Sequence, residues 1–481
     1  MARARRRVSA VDSLWLNMDR PTNLMVITSV VLLESVPDWG RVLDVVRSRI
    51  VEPYPVFSQR PVPRPGPFGR HEWADDPHFD LERHVHRVTL AGDGTDADLQ
   101  AYIEGHLSRP FDVTRPLWEV HLVSGHGAGA ALVFRIHHAL ADGMALTRVL
   151  LGLTEDAAGR PGDLTDAGVS AELHGIPPPR VSTTDPAAGD ATTRSPVVAA
   201  AQEGWKRLRR KGVRAAASDA AGLTLRSGQI VADLLLTTNP SSAVGGSPGH
   251  RKRIVWTQPL PLSGLKQTGR LVGATLNDVL LSAVAGALHT YQHERPGEPV
   301  DLVTMVPVNL RPLDEPLPRE LGNRFALLFL RFPSSDATPL GRLALTKARM
   351  DWLKASPEAA LTFALISVIG RTTGALERRV VDFFADKAIG VTTNVAGPRQ
   401  VRHLAGVPVA GVLGWVPGSG KHTLGFCIFT YADTVRIGIL ADESVVPDPG
   451  ELLDALEDEV DLLVRLGAAG PTGSEPRRRR S

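Results

Sequence analysis

Residues 131–150 read ALVFRIHHALADGMALTRVL, and the adjacent histidines at its centre, His137 and His138, decide how the chain is to be understood. The apolar run before them has the character of a buried strand, and after them Leu146, Val149, Leu150 and Leu153 recur at helical spacing. The pair therefore lies where a strand hands over to a helix. Adjacent residues leaving a strand point to opposite sides, so only one of the two can face a given cavity. A neutral imidazole has a pKa near working pH and can take a hydroxyl proton without prior activation. Asp142 and Gly143 close the loop with a carboxylate able to fix local geometry and a glycine able to take positive φ. On residue chemistry alone a structural turn and a catalytic base both stay open. A metal site on His138 and Asp142 is disfavoured, because no H-E-x-x-H accompanies them and the other histidines are scattered singly.

Outward from this junction the pattern is mixed α/β. Residues 24–33, LMVITSVVLL, read as a buried strand, and WGRVLDVVRSRI (39–50) as a helix. The proline-studded PVPRPGPFG (61–69) forces an extended loop. A helix is expected over 96–108, then strands at LWEVHLV (117–123) and ALVFRI. Between about 155 and 195 the chain is rich in Gly, Pro, Asp and Thr and reads as a flexible linker. The basic helical segment WKRLRRKGVRAAASDAAGL (205–223) follows, a solvated face or a membrane-surface contact. In the second half RIVWTQ (253–258) is a strand. Leu276, Val279, Leu280, Ala283, Val284, Ala287 and Leu288 then mark a helix whose start, Thr275 with Asp278 three residues later, is a capping box. Strands are expected at 300–308, 324–332 and 388–395, a hairpin over 424–442 turning at Ala432 and Asp433, and a last helix over 449–466. The division expected is 1–160, a linker with the basic segment at 161–250, 251–470, and a basic tail at 471–481.

At 481 residues with 43% hydrophobic side chains, the chain can bury sizeable cores. Its 54 basic and 52 acidic residues nearly balance, which gives no global pointer to nucleic acid, and the arginine runs at both ends read as solvated tails. One cysteine, Cys427, excludes an internal disulfide framework and a cysteine-rich zinc site, so a reducing, cytoplasmic setting is expected. Asp12 and Asp19 interrupt what would be the apolar part of an export signal. The longest apolar stretches, such as AALTFALISVIG (359–370), fall short of the roughly 20 residues of a spanning helix.

Two motifs fail on physical grounds. GGSPG (245–249) matches G-x-S-x-G formally, but Pro248 removes the backbone N–H that the oxyanion hole of a nucleophile elbow needs. PGSGKHT (417–423) has Trp415 where a phosphate loop needs its first glycine and His422 where it needs Ser or Thr.

HHALADG (137–143) resembles the HHxxxDG motif of the CoA-dependent acyltransferases. VDSLWLNMDRPTNLM (11–25), DDPHFDLERHV (75–85), SRPFDVTRPLWEVHLV (108–123), GATLNDVLLSAVAGAL (273–288), VPVNLRP (306–312), LGNRF (321–325) and TTNVAGP (392–398) follow in an order that narrows the resemblance to the bacterial wax ester synthase/diacylglycerol acyltransferase family, over about residues 9–466. The resemblance implies an α/β fold of two chloramphenicol-acetyltransferase-like domains, mixed sheets flanked by helices, with the active site at their interface and substrate tunnels from opposite sides. It implies transfer of a long-chain acyl group from acyl-CoA, a substrate rather than a cofactor, to diacylglycerol or a fatty alcohol. By motif position His138 is the general base and His137 a lesser partner. Asp142 holds the loop by pairing with an arginine, for which Arg20 and Arg311 are the candidates, and Gly143 permits the turn. Trp118 of the PLW segment is a core anchor or a substrate contact, Asn277 is a candidate for the site, and Asn394 and Gly397 shape the acyl cavity or a tight turn. No metal or other cofactor is implied, and no nucleic acid.

TNLMVI (22–27) stands where family members often carry Met-His-Val, and Ala396 where a proline is common; both departures bear on acceptor preference. The family reading also implies peripheral association with a membrane or lipid-droplet surface. Two rivals remain: a condensation-type or polyketide-associated acyltransferase using a carrier-protein thioester, and a non-catalytic lipid-binding protein of the same fold.

Overall fold

The computed structural model describes residues 5–64, 71–162, 239–310, 315–355, 379 and 382–469. The linker and basic segment expected over 163–238, the apolar stretch 359–370 and Arg311 lie outside the described residues.

The first half opens with β1 (Arg6–Arg7), α1 (Ala10–Met18), β2 (Val26–Leu33) and α2 (Trp39–Val46), then β3 (Gln59–Val62), β4 (Glu72–Asp75), β5 (Val85–Thr89) and α3 (Asp96–Leu107). The strands β6 (Trp118–His126) and β7 (Gly129–His137) lead into α4 (Gly143–Gly152) and β8 (Thr154–Glu155). Strand β2 is buried at all eight positions. Its β-branched, mostly apolar run, interrupted only by Thr28 and Ser29, suits a central strand with both faces covered. It pairs antiparallel with β7, Val26 opposite His137, and this register sets the histidines at the end of the sheet.

The second half supplies β9 (Lys252–Trp256), β10 (Leu260–Pro261), α5 (Leu262–Val272), α6 (Leu276–His293), β11 (Leu302–Asn309), β12 (Phe325–Phe332) and α7 (Pro339–Ala355). It ends with β13 (Gly390–Ala396), β14 (His403–Leu404), β15 (Val407–Trp415), β16 (Leu424–Tyr431), β17 (Thr434–Asp442) and α8 (Pro449–Ala469). Its sheet runs β10-β17-β16-β13-β11-β12, with β9 also on β17. The capping box is present: the Thr275 hydroxyl accepts from Asp278 N, and the Asp278 carboxylate accepts from Thr275 N. The β16–β17 hairpin turns at Ala432 and Asp433, both at positive φ (45° and 63°), the primed-turn geometry that matches strand twist.

Sequence patterning divides the chain into two contiguous halves, yet the sheets do not divide there. The N-terminal sheet has the order β5-β6-β7-β2-β15-β14-β8, so β14 and β15 from the second half complete it. Strand β15 pairs antiparallel with β2, Trp415 opposite Thr28. A buried cluster of Val30, Leu99 and Ile103 from the first half with Ile254, Trp256 and Trp415 from the second joins the halves further. Each half alone would leave an open edge or an apolar face, and the exchange covers both. Among the described residues no single helix is long and apolar enough to cross a membrane.

Helix α6 is apolar nearly all round because the sheet lies on one side and α7 and α8 pack on others. Beside it the Arg342 guanidinium donates to both carboxylate oxygens of Glu459 at 2.7 Å, with both side chains buried. Removing one member of such a pair leaves a charge buried without compensation. Arg342→Ala is expected to lower stability by about 3–5 kcal/mol, read from the midpoint of urea unfolding.

Candidate active site

The site forms where three segments distant in sequence meet at the end of β7. Strand β7 ends at His137, and His138 opens the turn that follows, so the two rings meet different partners. The His138 backbone N–H donates to Met25 O at 2.8 Å, which ties the loop to the start of β2. His137 is buried, and its Nδ1 accepts from Ala139 N at 3.1 Å. Its Nε2 therefore carries the hydrogen, which points to Asp19 Oδ2 at 3.2 Å. Asp19 is held in turn by Met25 N at 2.6 Å. His137 is thus committed on both ring nitrogens to the loop.

His138 is arranged differently. Its Nδ1 lies 2.9 Å from Asn323 Oδ1. The orientation of that carboxamide is fixed from the other end, since Asn323 Nδ2 donates to Asp12 Oδ1 at 2.7 Å and to His138 O at 2.9 Å, both acceptors. With its amide hydrogens so placed, Asn323 presents oxygen to the imidazole, and His138 Nδ1 must donate. The lone pair is left on Nε2. The indole of Trp15 stacks on the ring at 4.1 Å, nearly parallel, and Phe325 approaches to 5.9 Å. This apolar cover desolvates the imidazole and pulls its pKa down to about 4, against the opposing effect of Asp142 and the Asn323 hydrogen bond. The ring is neutral near pH 7, the protonation state a base needs.

Asp12 reaches this cluster because Ser9 caps α1, its hydroxyl accepting from Asp12 N at 3.0 Å. Burial raises the Asp12 pKa, while hydrogen bonds from Asn323 and Ser9 oppose the shift. The Asn323 backbone N–H also donates to Asp12 Oδ1, at 3.0 Å.

Asp142 caps α4, its Oδ1 accepting from Ala145 N at 2.8 Å, and its Oδ2 accepts from the backbone N–H of Arg324 at 2.8 Å. Among the described residues, Asp142 thus holds the loop through peptide groups. Arg20 does not reach Asp142; its guanidinium pairs with Asp382 at 2.8 Å. Because Asp142 is the N-cap, Gly143 is the first helical residue and does not adopt positive φ, contrary to the expectation from the Asp–Gly pair. A Cβ at Gly143 would meet nothing within 4 Å, so its contribution is open space at the mouth of a cavity.

That cavity, of about 820 Å³ and open to solvent, is lined by Ile27, Ser29 and Val31 of β2, Gly143, Leu146 and Leu150 of α4, and residues of β13, β15 and β16 including Phe429. It meets the motif at Gly143, and His138 lies just outside its lining. A second recess, of about 410 Å³, opens on the other face of β2 beside Asn23, Val26 and Thr28, with Ser108, His250 and Lys252 at its rim. Alternating β2 side chains thus face two different spaces.

The remaining candidates separate. Gly397 lines the larger cavity, and a Cβ there would sit 2.3 Å from Thr430 O, so glycine lets β13 and β16 close together. Asn394 and Asn277 hydrogen-bond to each other at 2.8 Å and do not line either recess, because the β13 residues facing the cavity are Thr393 and Val395. Trp118 is a core anchor: it is buried, donates from Nε1 to Phe57 O at 2.7 Å and stacks on His84. Asn323, Asp12, Asp19 and Trp15 were carried in the sequence only inside the segments LGNRF and VDSLWLNMD, without a signal of their individual tasks.

Fold and site together define a two-lobed acyltransferase of the HHxxxDG kind. Residues 8–280 match the wax ester synthase/diacylglycerol acyltransferase catalytic domain, and residues 321–463 match the WS/DGAT C-terminal domain. The chain belongs to this family and is an acyltransferase; the family implies an acyl-CoA and an acyl acceptor as substrates. It is 27% identical over 460 residues to a Mycobacterium tuberculosis protein named probable diacylglycerol O-acyltransferase, covering 94% of this chain and 93% of that one. Among solved structures it resembles the wax ester synthase/diacylglycerol acyltransferase of Marinobacter aquaeolei, at 20% identity and a TM-score of 0.65 over 96% of this chain and 100% of that one. The first condensation domain of the calcium-dependent antibiotic synthetase shares the fold at 16% identity and a TM-score of 0.58, covering 97% of each chain.

Buried imidazoles make stability depend on pH. His422 is buried, its Nδ1 accepts from Ser419 N at 3.1 Å, and burial lowers its pKa, like that of His138, to about 4 from 6.5. Between these values the unfolded chain binds more protons than the folded one, so stability is full above pH 6.5 and declines as pH falls toward 4. Urea midpoints measured across this window should fall with pH, and the slope should be shallower in His422→Gln.

Proposed function

We propose that this chain transfers a long-chain acyl group from acyl-CoA to the hydroxyl of diacylglycerol or a fatty alcohol, with His138 as general base. The observation that carries this reading is the Asn323 clamp, which supports a neutral imidazole with its lone pair on Nε2, five residues before Gly143 at the mouth of the larger recess. The hydroxyl oxygen attacks the thioester carbonyl carbon as Nε2 takes its proton. The C–O bond forms and the carbonyl becomes a tetrahedral oxyanion. Collapse breaks the C–S bond, and the imidazolium returns the proton to the leaving thiolate. General-base catalysis of this kind contributes about 10²- to 10⁴-fold, and positioning and oxyanion stabilisation supply the rest.

The two recesses suit the two reactants. The larger, lined by Leu146, Leu150, Val412 and Phe429, suits an alkyl chain, and the smaller, with Asn23, Ser108 and Lys252, suits a polar carrier arm. Asp142 acts here as a positioning residue, fixing the loop through the α4 N-terminus and the Arg324 peptide.

The test gives purified protein palmitoyl-CoA with hexadecanol and dioleoylglycerol in competition, beside His138→Ala. Wax ester or triacylglycerol is expected from the parent, and a loss of about 10²- to 10⁴-fold from a variant that melts normally. No ester from either acceptor, or an unchanged rate in His138→Ala, overturns the reading. Asp142→Ala is expected to lower both the rate and the thermal midpoint, because losing an N-cap costs about 0.5–2 kcal/mol. An unchanged melting curve would contradict its assignment.

A further inference from the structure

A second cluster of chemically able side chains lies on the outer strands of the N-terminal sheet, under α3. In the parallel pairing of β5 with β6, His86 stands opposite His121, and Glu119, two residues before His121, shares that face. We propose that His86, Glu119 and His121 form a binding site for a zinc-type divalent cation that ties the edge strand β5 to β6. The inference does not depend on the acyl-transfer reading.

The potential ligand atoms of the three side chains all lie within 4.8 Å of one another. Tetrahedral zinc, with bonds of about 2.0–2.1 Å, needs them about 3.3 Å apart. His86 on the edge strand β5 and Glu119 on β6 are only half-buried, so side-chain rotation can close the difference and the ion has a path in. Two imidazoles and a carboxylate are the donor set zinc accepts, with a fourth position left for water.

The independent sign is at His121, which is 5% exposed. Its Nδ1 is hydrogen-bonded to the Tyr102 hydroxyl, while its Nε2, 3.6 Å from Glu119 Oε1, has no hydrogen-bond partner. A buried ring nitrogen without a partner is an unmet demand in one tautomer or the other. With Nδ1–H donated to Tyr102, Nε2 presents a lone pair toward the cluster, which is how a metal-ligating histidine is held by its outer neighbour. Burial raises the Tyr102 pKa to about 12, so the phenol stays neutral. Burial lowers the His86 pKa, which keeps that imidazole unprotonated and free to ligate. Burial pushes the Glu119 pKa up, but the neighbouring His121 ring and the Arg135 guanidinium prevail and hold it at about 2, so the carboxylate is ionised. Arg135 occupies Oε1 of Glu119, which leaves the second carboxylate oxygen for the cation. His106, its ring 4.9 Å from that of His121, completes the surroundings.

Along the sequence the histidines are scattered singly, and strand pairing is what brings His86 opposite His121. The test strips the full-length protein with EDTA and titrates it with Zn²⁺ by calorimetry, and with Co²⁺ by visible absorption. One equivalent should bind, with the intense Co²⁺ bands of tetrahedral coordination, and the thermal midpoint should rise with Zn²⁺. His86→Ala, at a half-buried edge position, should abolish both signals while melting like the stripped parent. Tyr102→Phe should weaken binding by about 10- to 100-fold. His293→Ala, which alters the separate His289–His293 pair on α6, should leave binding intact. Absence of stoichiometric binding in the parent, or equal binding in His86→Ala, overturns the proposal.

Discussion

The carboxamide of Asn323 is the constraint on which the site depends. Its nitrogen is claimed by Asp12 and by the His138 carbonyl, so its oxygen has one direction left, toward His138 Nδ1. A hydroxyl or a water could serve as donor or acceptor there, whereas an amide whose nitrogen is already engaged is only an acceptor. The tautomer of the imidazole is therefore set by a hydrogen-bond chain that begins at Ser9, the cap of the first helix. This clamp sits in a low-dielectric environment under Trp15 and Phe325, where a mis-set proton would be costly to correct.

The clamp requires the two halves of the chain to be held in fixed relation, and the sheets show how. Asp12 and His138 belong to the first half and Asn323 to the second, 185 residues from His138. Strands β14 and β15 pass from the second half into the first sheet, so the halves share backbone hydrogen bonds as well as an apolar contact surface. Exchanged strands resist relative movement more than a wet interface of side chains does, which suits a site needing alignment within fractions of an ångström. The same strand, β2, is paired on both sides and divides the two recesses.

Much of this was legible from local patterns. The handover from strand to helix at the histidines, the capping box at Thr275 and Asp278, and the turn at Ala432 and Asp433 follow from periodicity and from backbone groups satisfied within a few residues. The strand ends at His137, so the different partners of His137 and His138 come from the turn and its tertiary contacts and not from strand alternation. An Asp–Gly pair suggests a left-handed turn, but Asp142 spends its side chain on the α4 N-terminus, which places Gly143 inside the helix. Arg20 was a candidate by charge alone, and Asp382 lies nearer.

The sequence by itself determined the element types, the α/β class, the acyltransferase motif and the family, because each is written in short-range spacing or in ordered segments. Tertiary structure alone decided that Asn323 faces His138, that Asp142 is held by a peptide N–H, and that Asn394 turns to Asn277 and away from the cavity. It also decided that His86 meets His121 across two strands. These are contacts between side chains whose separation along the chain carries no periodic signature. Their geometry is fixed by strand register and close packing, which no local run of residues specifies.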